Sequence, residues 1–137
     1  MFQITNLIKK HLLHRLADGG PKISWEKIKE KVLGKKYELS LVLAGNALMK
    51  KLNIKYRKQN KAASVLSFPF SKTEAPLRQG SAGQGEIFIN LSQKKHSPVF
   101  LFIHALLHLK GLEHSAKMEE QEQELMKQYG SRHRHRP

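Results

Sequence analysis

Residues 98–109 restrict the fold more than any other stretch, because they are apolar on every side of the helix that they predict. Ser97 and Pro98 are typical of a helix N-cap and of a first helical residue. A helix that lacks a polar face has to be buried. Its apolar side chains are Val99, Phe100, Leu101, Phe102, Ile103, Ala105, Leu106, Leu107 and Leu109. The sequence therefore predicts a central helix that the rest of the chain surrounds.

His104 and His108 are the polar side chains of this apolar helix. Because they are four residues apart, both imidazoles lie on the same face. Gly111 tolerates the left-handed conformation that ends many helices, so His114 can approach from the following loop. Three protein ligands leave the fourth tetrahedral position of a zinc ion open for water or substrate, which is typical of catalytic zinc.

An alternative interpretation is that these histidines are ordinary core residues with one hydrogen bond each. Burying an imidazole without a partner costs about 1–3 kcal/mol. A metal ion satisfies both rings at once, and unpaired polar groups seldom stay buried. We therefore predict a metal site at His104, His108 and His114 that binds one zinc ion per chain.

The length of 137 residues predicts one domain, residues 1–130, followed by a basic tail at 131–137 that we expect to be disordered. The sequence contains no cysteine, so it offers neither disulfides nor thiolate ligands. It shows no apolar run long enough to cross a membrane and no secretion signal at the N-terminus. We expect a cytoplasmic protein without a membrane partner.

The formal net charge of +14 is high for a chain of this size. Such a charge favours a polyanionic partner, although a basic surface without a specific partner is an alternative. A membrane surface fits less well, because the lysines are scattered along the chain and do not form one amphipathic stripe.

Hydrophobic periodicity predicts strands and helices in alternation. We expect strands at 1–6, 37–43, 64–68 and 86–90, and a flexible loop at 71–85. Helices are predicted at 7–16, at 25–33 with Ser24 as its cap, at 46–57, along the histidine segment and at 115–129, the last with its glutamates outward. The fold class is α+β (α/β), with a single small mixed sheet packed with helices around the buried histidine helix.

Three sequence blocks resemble those of the YbeY-type metal-dependent endoribonucleases of bacterial ribosomal RNA maturation. The family signature H-G-x-L-H-L-x-G-Y-D-H is similar to residues 104–114, which keep all three histidines, Leu107-His108-Leu109 and Gly111. A family arginine followed by Val-Leu-Ser-Phe-Pro matches Arg57 and residues 65–69, and Gly-Asp-Ile appears as residues 85–87. The chain departs from the pattern at Ala63-Ser64, Ala105 and Leu112-Glu113.

This resemblance implies a zinc-dependent single-strand endoribonuclease involved in ribosomal RNA maturation and ribosome quality control. Its partners would be a small-subunit rRNA precursor and ribosomal proteins. The resemblance places Arg57 beside the metal, where a guanidinium can clamp phosphate oxygens. Lys55, Lys58 and Lys61 are candidates for holding the RNA backbone.

Glu86 and Glu113 are candidates for accepting the free N–H of a ligand imidazole, and a surface position is an equal alternative for both. Metzincin proteases carry a glutamate base directly after their first histidine, where this chain has Ala105, which argues against peptide hydrolysis. Two other functions stay open: a non-catalytic RNA-binding ribosome-assembly factor with a structural metal, and a metallohydrolase of another substrate.

Overall fold

The computed structural model describes residues 2–6, 24–69 and 83–130. Four strands and four helices lie within this part of the chain. The strands are β1 (Phe2–Asn6), β2 (Glu38–Ala44), β3 (Val65–Pro69) and β4 (Gln84–Asn90), and the helices are α1 (Trp25–Leu33), α2 (Asn46–Arg57), α3 (Pro98–Lys110) and α4 (Ala116–Tyr129). The predicted helix at 7–16, most of the predicted loop at 71–85 and the tail at 131–137 lie outside the described residues.

The strands form one mixed sheet in the order β1-β2-β4-β3. β1, β2 and β4 run parallel, and β3 pairs antiparallel with β4. Leu41 of β2 faces Ile87 of β4 in this register, and both are completely buried. β2 is a nearly continuous apolar run, as expected of a parallel strand that is covered on both faces. The prediction of an α+β fold with a small mixed sheet is confirmed.

α3 lies at the centre of the larger core cluster, as its uniform hydrophobicity predicts. The Ser97 side chain accepts a hydrogen bond from the backbone N–H of Phe100 at 3.1 Å and caps the helix, with Pro98 in its first turn. The cluster also contains Ile28, Val32 and Leu33 of α1, Leu39, Leu41 and Leu43 of β2, Ile87 and Ile89 of β4, and Met118 and Leu125 of α4. One face of α3 remains for the histidines.

A smaller apolar cluster, formed by Ala44, Met49 and Leu66, joins α2 to the sheet. Beside it the buried Asn90 connects three segments. Its side-chain N–H groups donate to Asn46 Oδ1 at 2.8 Å and to the carbonyl of Ala63 at 3.1 Å, and its Oδ1 accepts from the Ser92 N–H at 2.8 Å. These bonds hold the start of α2 and the entry to β3 against the end of β4.

The start of β4 and the cap of α1 differ from their predictions. β4 begins at Gln84 instead of Glu86, because Gln84 and Gly85 pair with Glu38 and Leu39. Ser24 occupies the N-cap position of α1, but its side chain makes no capping hydrogen bond. Within the described residues, every helix is too short or too polar to span a lipid bilayer.

Candidate metal centre

The end of α3 brings the three histidines together. Gly111 adopts the left-handed conformation with φ 108°, as the sequence predicts. The Gly111 N–H donates to the His108 carbonyl at 2.9 Å, and the Leu112 N–H donates to the Leu107 carbonyl at 3.0 Å. This turn satisfies the last carbonyls of the helix and reverses the chain. His114 therefore returns over the face that carries His104 and His108.

The three imidazoles form a compact cluster whose ligand nitrogens lie within 4.8 Å of one another. The His114 ring centroid is 5.1 Å from that of His104 and 4.7 Å from that of His108. His104 and His108 are half-buried, and His114 is exposed. The cluster is thus open to solvent on one side.

The outer nitrogens of the two helical histidines have partners that fix where their protons lie. His108 Nδ1 donates to the Leu112 carbonyl at 3.1 Å, and a carbonyl can only accept. His104 Nδ1 donates to the carboxylate of Glu122 on α4. In the neutral rings both Nε2 atoms therefore carry lone pairs, and these two atoms lie 3.2 Å apart.

Two lone pairs at this separation repel unless a proton or a metal ion lies between them. Nitrogens bound to one tetrahedral zinc at about 2.0–2.1 Å are about 3.3 Å apart, which matches the Nε2 pair. Burial lowers the pKa of His108, and the neighbouring His104 and His114 lower it further. This shift favours the neutral imidazole that a metal needs. The residues present therefore fit a divalent metal ion.

Within the described part of the chain, Glu122 contacts this cluster through its carboxylate. Its position corrects the prediction that the glutamates of the last helix face outward. It is 8% exposed and lies between Met118 and Leu125, which are both core residues. An acidic residue on the apolar stripe of a helix is the sequence signal that could have identified it, because a carboxylate is seldom buried without a partner.

Glu86 and Glu113, the glutamates named for that role from the sequence, lie in other surroundings. The Glu86 carboxylate accepts a hydrogen bond from Ser40 Oγ on the neighbouring strand at 3.2 Å. Glu113 is exposed. The structure thus places Glu122, and neither of these two, against a histidine ring.

Arg57, the last residue of α2, lines the same cavity as the three histidines. The cavity measures about 300 Å³, and its remaining walls are Val65, Ser67 and Ala105. Asn53, one turn earlier on α2, is buried and donates to the Lys61 carbonyl at 2.9 Å. This bond fixes the turn that follows α2. An exposed guanidinium and three imidazoles thus face one polar cavity.

Lys55, Lys58 and Lys61 lie on the last turn of α2 and on the segment after it, and all three are exposed. Lys58 forms the left-handed C-cap of α2 with φ 58°. None of the three is among the residues that line the cavity. They place positive charge on the stretch of chain that flanks Arg57.

The fold and this cluster define a small α+β protein with a three-histidine site suited to a divalent metal ion. A sequence profile of the family described as Endoribonuclease YbeY matches residues 21–133. The chain belongs to this family.

Curated relatives with the same description agree with this assignment. One from Pelagibacter ubique is 38% identical over 95 residues, which are 63% of this chain and 62% of the relative. One from Campylobacter jejuni is 33% identical over 104 residues, 67% of this chain and 75% of the relative. The chain spans about six-tenths of the length of the first of these relatives.

A solved structure supports the fold independently. The solution structure of TM1509 from Thermotoga maritima matches 94% of this chain and 89% of its own length with a TM-score of 0.56 and 23% sequence identity. At this identity the likeness concerns the arrangement of helices and strands.

Proposed function

We propose that this chain is a zinc-dependent single-strand endoribonuclease that acts in ribosomal RNA maturation and ribosome quality control. The observation that carries the proposal is that Arg57 and the three histidines line one open cavity. Three imidazole ligands with a fourth position open are a ligand set that catalytic zinc uses, which supports zinc as the ion. The description of the relatives as endoribonucleases supports the same reaction.

The residues around the cavity suit phosphodiester cleavage. A bound zinc ion would supply a Lewis acid for a phosphate oxygen and would acidify a water molecule. Arg57 presents a fork of N–H donors that can bind two phosphate oxygens and stabilise the negative charge that grows on them. An RNA strand brings its own nucleophile, the 2′-hydroxyl beside the phosphate. Ala105 gives the cavity wall only a methyl group, so the glutamate base of a peptidase is missing there.

The charge of the molecule supports RNA as the substrate. Lys55, Lys58 and Lys61 are exposed beside Arg57, and the formal net charge is +14. Contacts of lysine with phosphate provide affinity that falls with salt. The proposal includes a small-subunit rRNA precursor as substrate, ribosomal proteins as partners and a cytoplasmic location, where such a precursor is found.

Cleavage of a labelled single-stranded rRNA fragment by zinc-loaded protein tests this function. We expect Arg57→Ala to lower kcat by about 10²- to 10³-fold while the zinc content stays the same, because the guanidinium acts on the phosphate. His114→Ala should abolish cleavage and zinc binding together. Lys50→Ala, an exposed change on the same helix outside the cavity, should cleave like the wild type.

Zinc-loaded wild type that leaves the RNA intact would contradict the proposal. If that protein still binds RNA, and Arg57→Ala binds equally well, the alternative of a non-catalytic assembly factor is favoured.

A further inference from the structure

Tyr56 is the most exposed large hydrophobic side chain in the described part of the protein. Its exposed fraction is 56%, compared with 45% for Ile54 two residues earlier. Tyrosine rings are usually covered over most of their surface, because aromatic area contributes strongly to folding when it is buried. The open ring at this position therefore needs a different explanation.

The Tyr56 ring packs on one side against Phe68 of β3. The ring centroid lies 5.3 Å from that of Phe68, with the planes 58° apart. Phe68 in turn meets Phe88 edge to face at 5.9 Å. Because this ladder of rings anchors Tyr56 to the sheet, the exposed part of its ring is preorganised for a flat partner.

The chain places this ring immediately beside the metal cavity. Tyr56 precedes Arg57, and Phe68 follows Ser67, and both Arg57 and Ser67 line the cavity. Adjacent side chains of a strand point to opposite faces, so the aromatic pair lies across the β3 edge from the histidines. An RNA strand that continues from a phosphate on Arg57 over this edge meets the Tyr56 ring.

The ammonium group of Lys55 lies close to the Tyr56 ring. It lies over the ring, 5.2 Å from its centre, and because this lysine is exposed its side chain can move off the ring when a base stacks there. An aromatic face next to a cation is the combination that binds single-stranded nucleic acid, since the base stacks and the cation meets the backbone. A base inside a duplex is already stacked on both sides, so only an unpaired base offers a free face.

We propose that Tyr56 is a stacking platform for one unpaired base of the RNA next to the phosphate bound by Arg57, with Lys55 contacting the adjoining backbone. This inference rests on the proposed function and adds the residue that holds an unpaired base next to the bound phosphate. The platform is indifferent to base identity, because every base has a stacking face.

Binding of a 2′-O-methyl oligoadenylate, followed by fluorescence anisotropy with protein as purified, tests the platform. Tyr56→Leu keeps apolar bulk against Phe68 but removes the ring, and we expect it to weaken binding by about 5- to 150-fold. Tyr56→Phe should bind like the wild type, because stacking needs the ring and not the hydroxyl. Ile54→Ala, an exposed apolar residue of the same helix, is the matched control and should also bind like the wild type.

An abasic scan separates stacking from charge. One base at a time is removed from the oligonucleotide. Removal of the base at one position should weaken binding by the wild type, and the same removal should not weaken binding by Tyr56→Leu any further. Equal affinity of Tyr56→Leu and wild type for the intact oligonucleotide would overturn the platform and leave the proposed nuclease standing. Failure of the wild type both to bind and to cleave single-stranded RNA would overturn the proposed function and this inference together.

Discussion

Two oxygen acceptors decide which nitrogen of each helical histidine faces the cavity. The Leu112 carbonyl and the Glu122 carboxylate take the Nδ1 protons of His108 and His104, so both Nε2 lone pairs point at one place. Acceptors of this kind orient metal-bound imidazoles and raise their basicity. At the scale of single residues, the metal affinity of the site would thus depend on groups that do not themselves ligate the ion.

Replacement of Glu122 measures that dependence. We expect Glu122→Ala to weaken zinc binding by about 10- to 100-fold, because His104 loses the acceptor that orients it. Glu122→Gln should lose less, since its amide oxygen can still accept the Nδ1 proton. Competition with a chelating dye gives the affinity, and Glu119→Ala, an exposed change on the same helix, is the control. Unchanged zinc affinity in Glu122→Ala would show that Glu122 does not position His104.

Lys58 carries a backbone conformation that suits glycine better. With φ 58° and ψ 32° at the C-cap of α2, it lies in the left-handed region, which costs a residue with a Cβ about 1–2 kcal/mol. Lys58→Gly should therefore be about 1 kcal/mol more stable towards urea than Lys58→Ala, although both lose the same charge. Equal stabilities of the two variants would contradict the strain assigned to this residue.

The elements that sequence patterns predict best are those whose signals are local. The bounds of α1 and α2 match the predicted helices. α3 begins directly after Ser97 and ends directly before Gly111, as the capping chemistry of these two residues predicts. The start of β4 is missed because Gly85 is a poor strand former, and the residues that pair with Gln84 and Gly85 lie on β2. Glu122 is missed for a similar reason, since its burial depends on how α4 crosses α3.

Gly85 of β4 lies where a side chain would collide with Tyr37 and Leu109. A Cβ at this position would overlap the hydroxyl of Tyr37 and would lie 3.3 Å from two methyl carbons of Leu109. The Tyr37 hydroxyl is buried without a hydrogen-bond partner among the described residues, and burial raises its pKa to about 12. Tyr37 and Gly85 therefore fit together as a pair.

A double-mutant cycle tests this pair. We expect Gly85→Ala to reduce the free energy of unfolding by about 1–3 kcal/mol in the wild type, because it overfills the core. In a Tyr37→Phe background the loss should be smaller by about 1 kcal/mol, since the clashing hydroxyl is gone. Denaturant titration gives all four stabilities. The same loss in both backgrounds would show that Tyr37 is not the obstacle.

At the scale of the whole molecule, the site is assembled from elements far apart in the sequence. α2 brings Arg57, β3 brings Val65 and Ser67, α3 and its turn bring the histidines, and α4 brings Glu122. The sequence could name the three histidines and Arg57 because two motifs and one helical spacing mark them. The family resemblance predicted Arg57 beside the metal, but the residues alone could not show the cavity that Arg57 and the three histidines line, because it depends on how α2, β3 and α3 pack together.

The central claim is that the three histidines form one metal site, and zinc stoichiometry tests it most directly. Wild-type protein equilibrated with zinc, freed of excess metal and assayed by elemental analysis should hold one ion per chain. His108→Ala, checked for retained folding by circular dichroism, should hold none under the same conditions. A folded wild type that retains no zinc, or a folded His108→Ala that retains a full equivalent, would contradict the account.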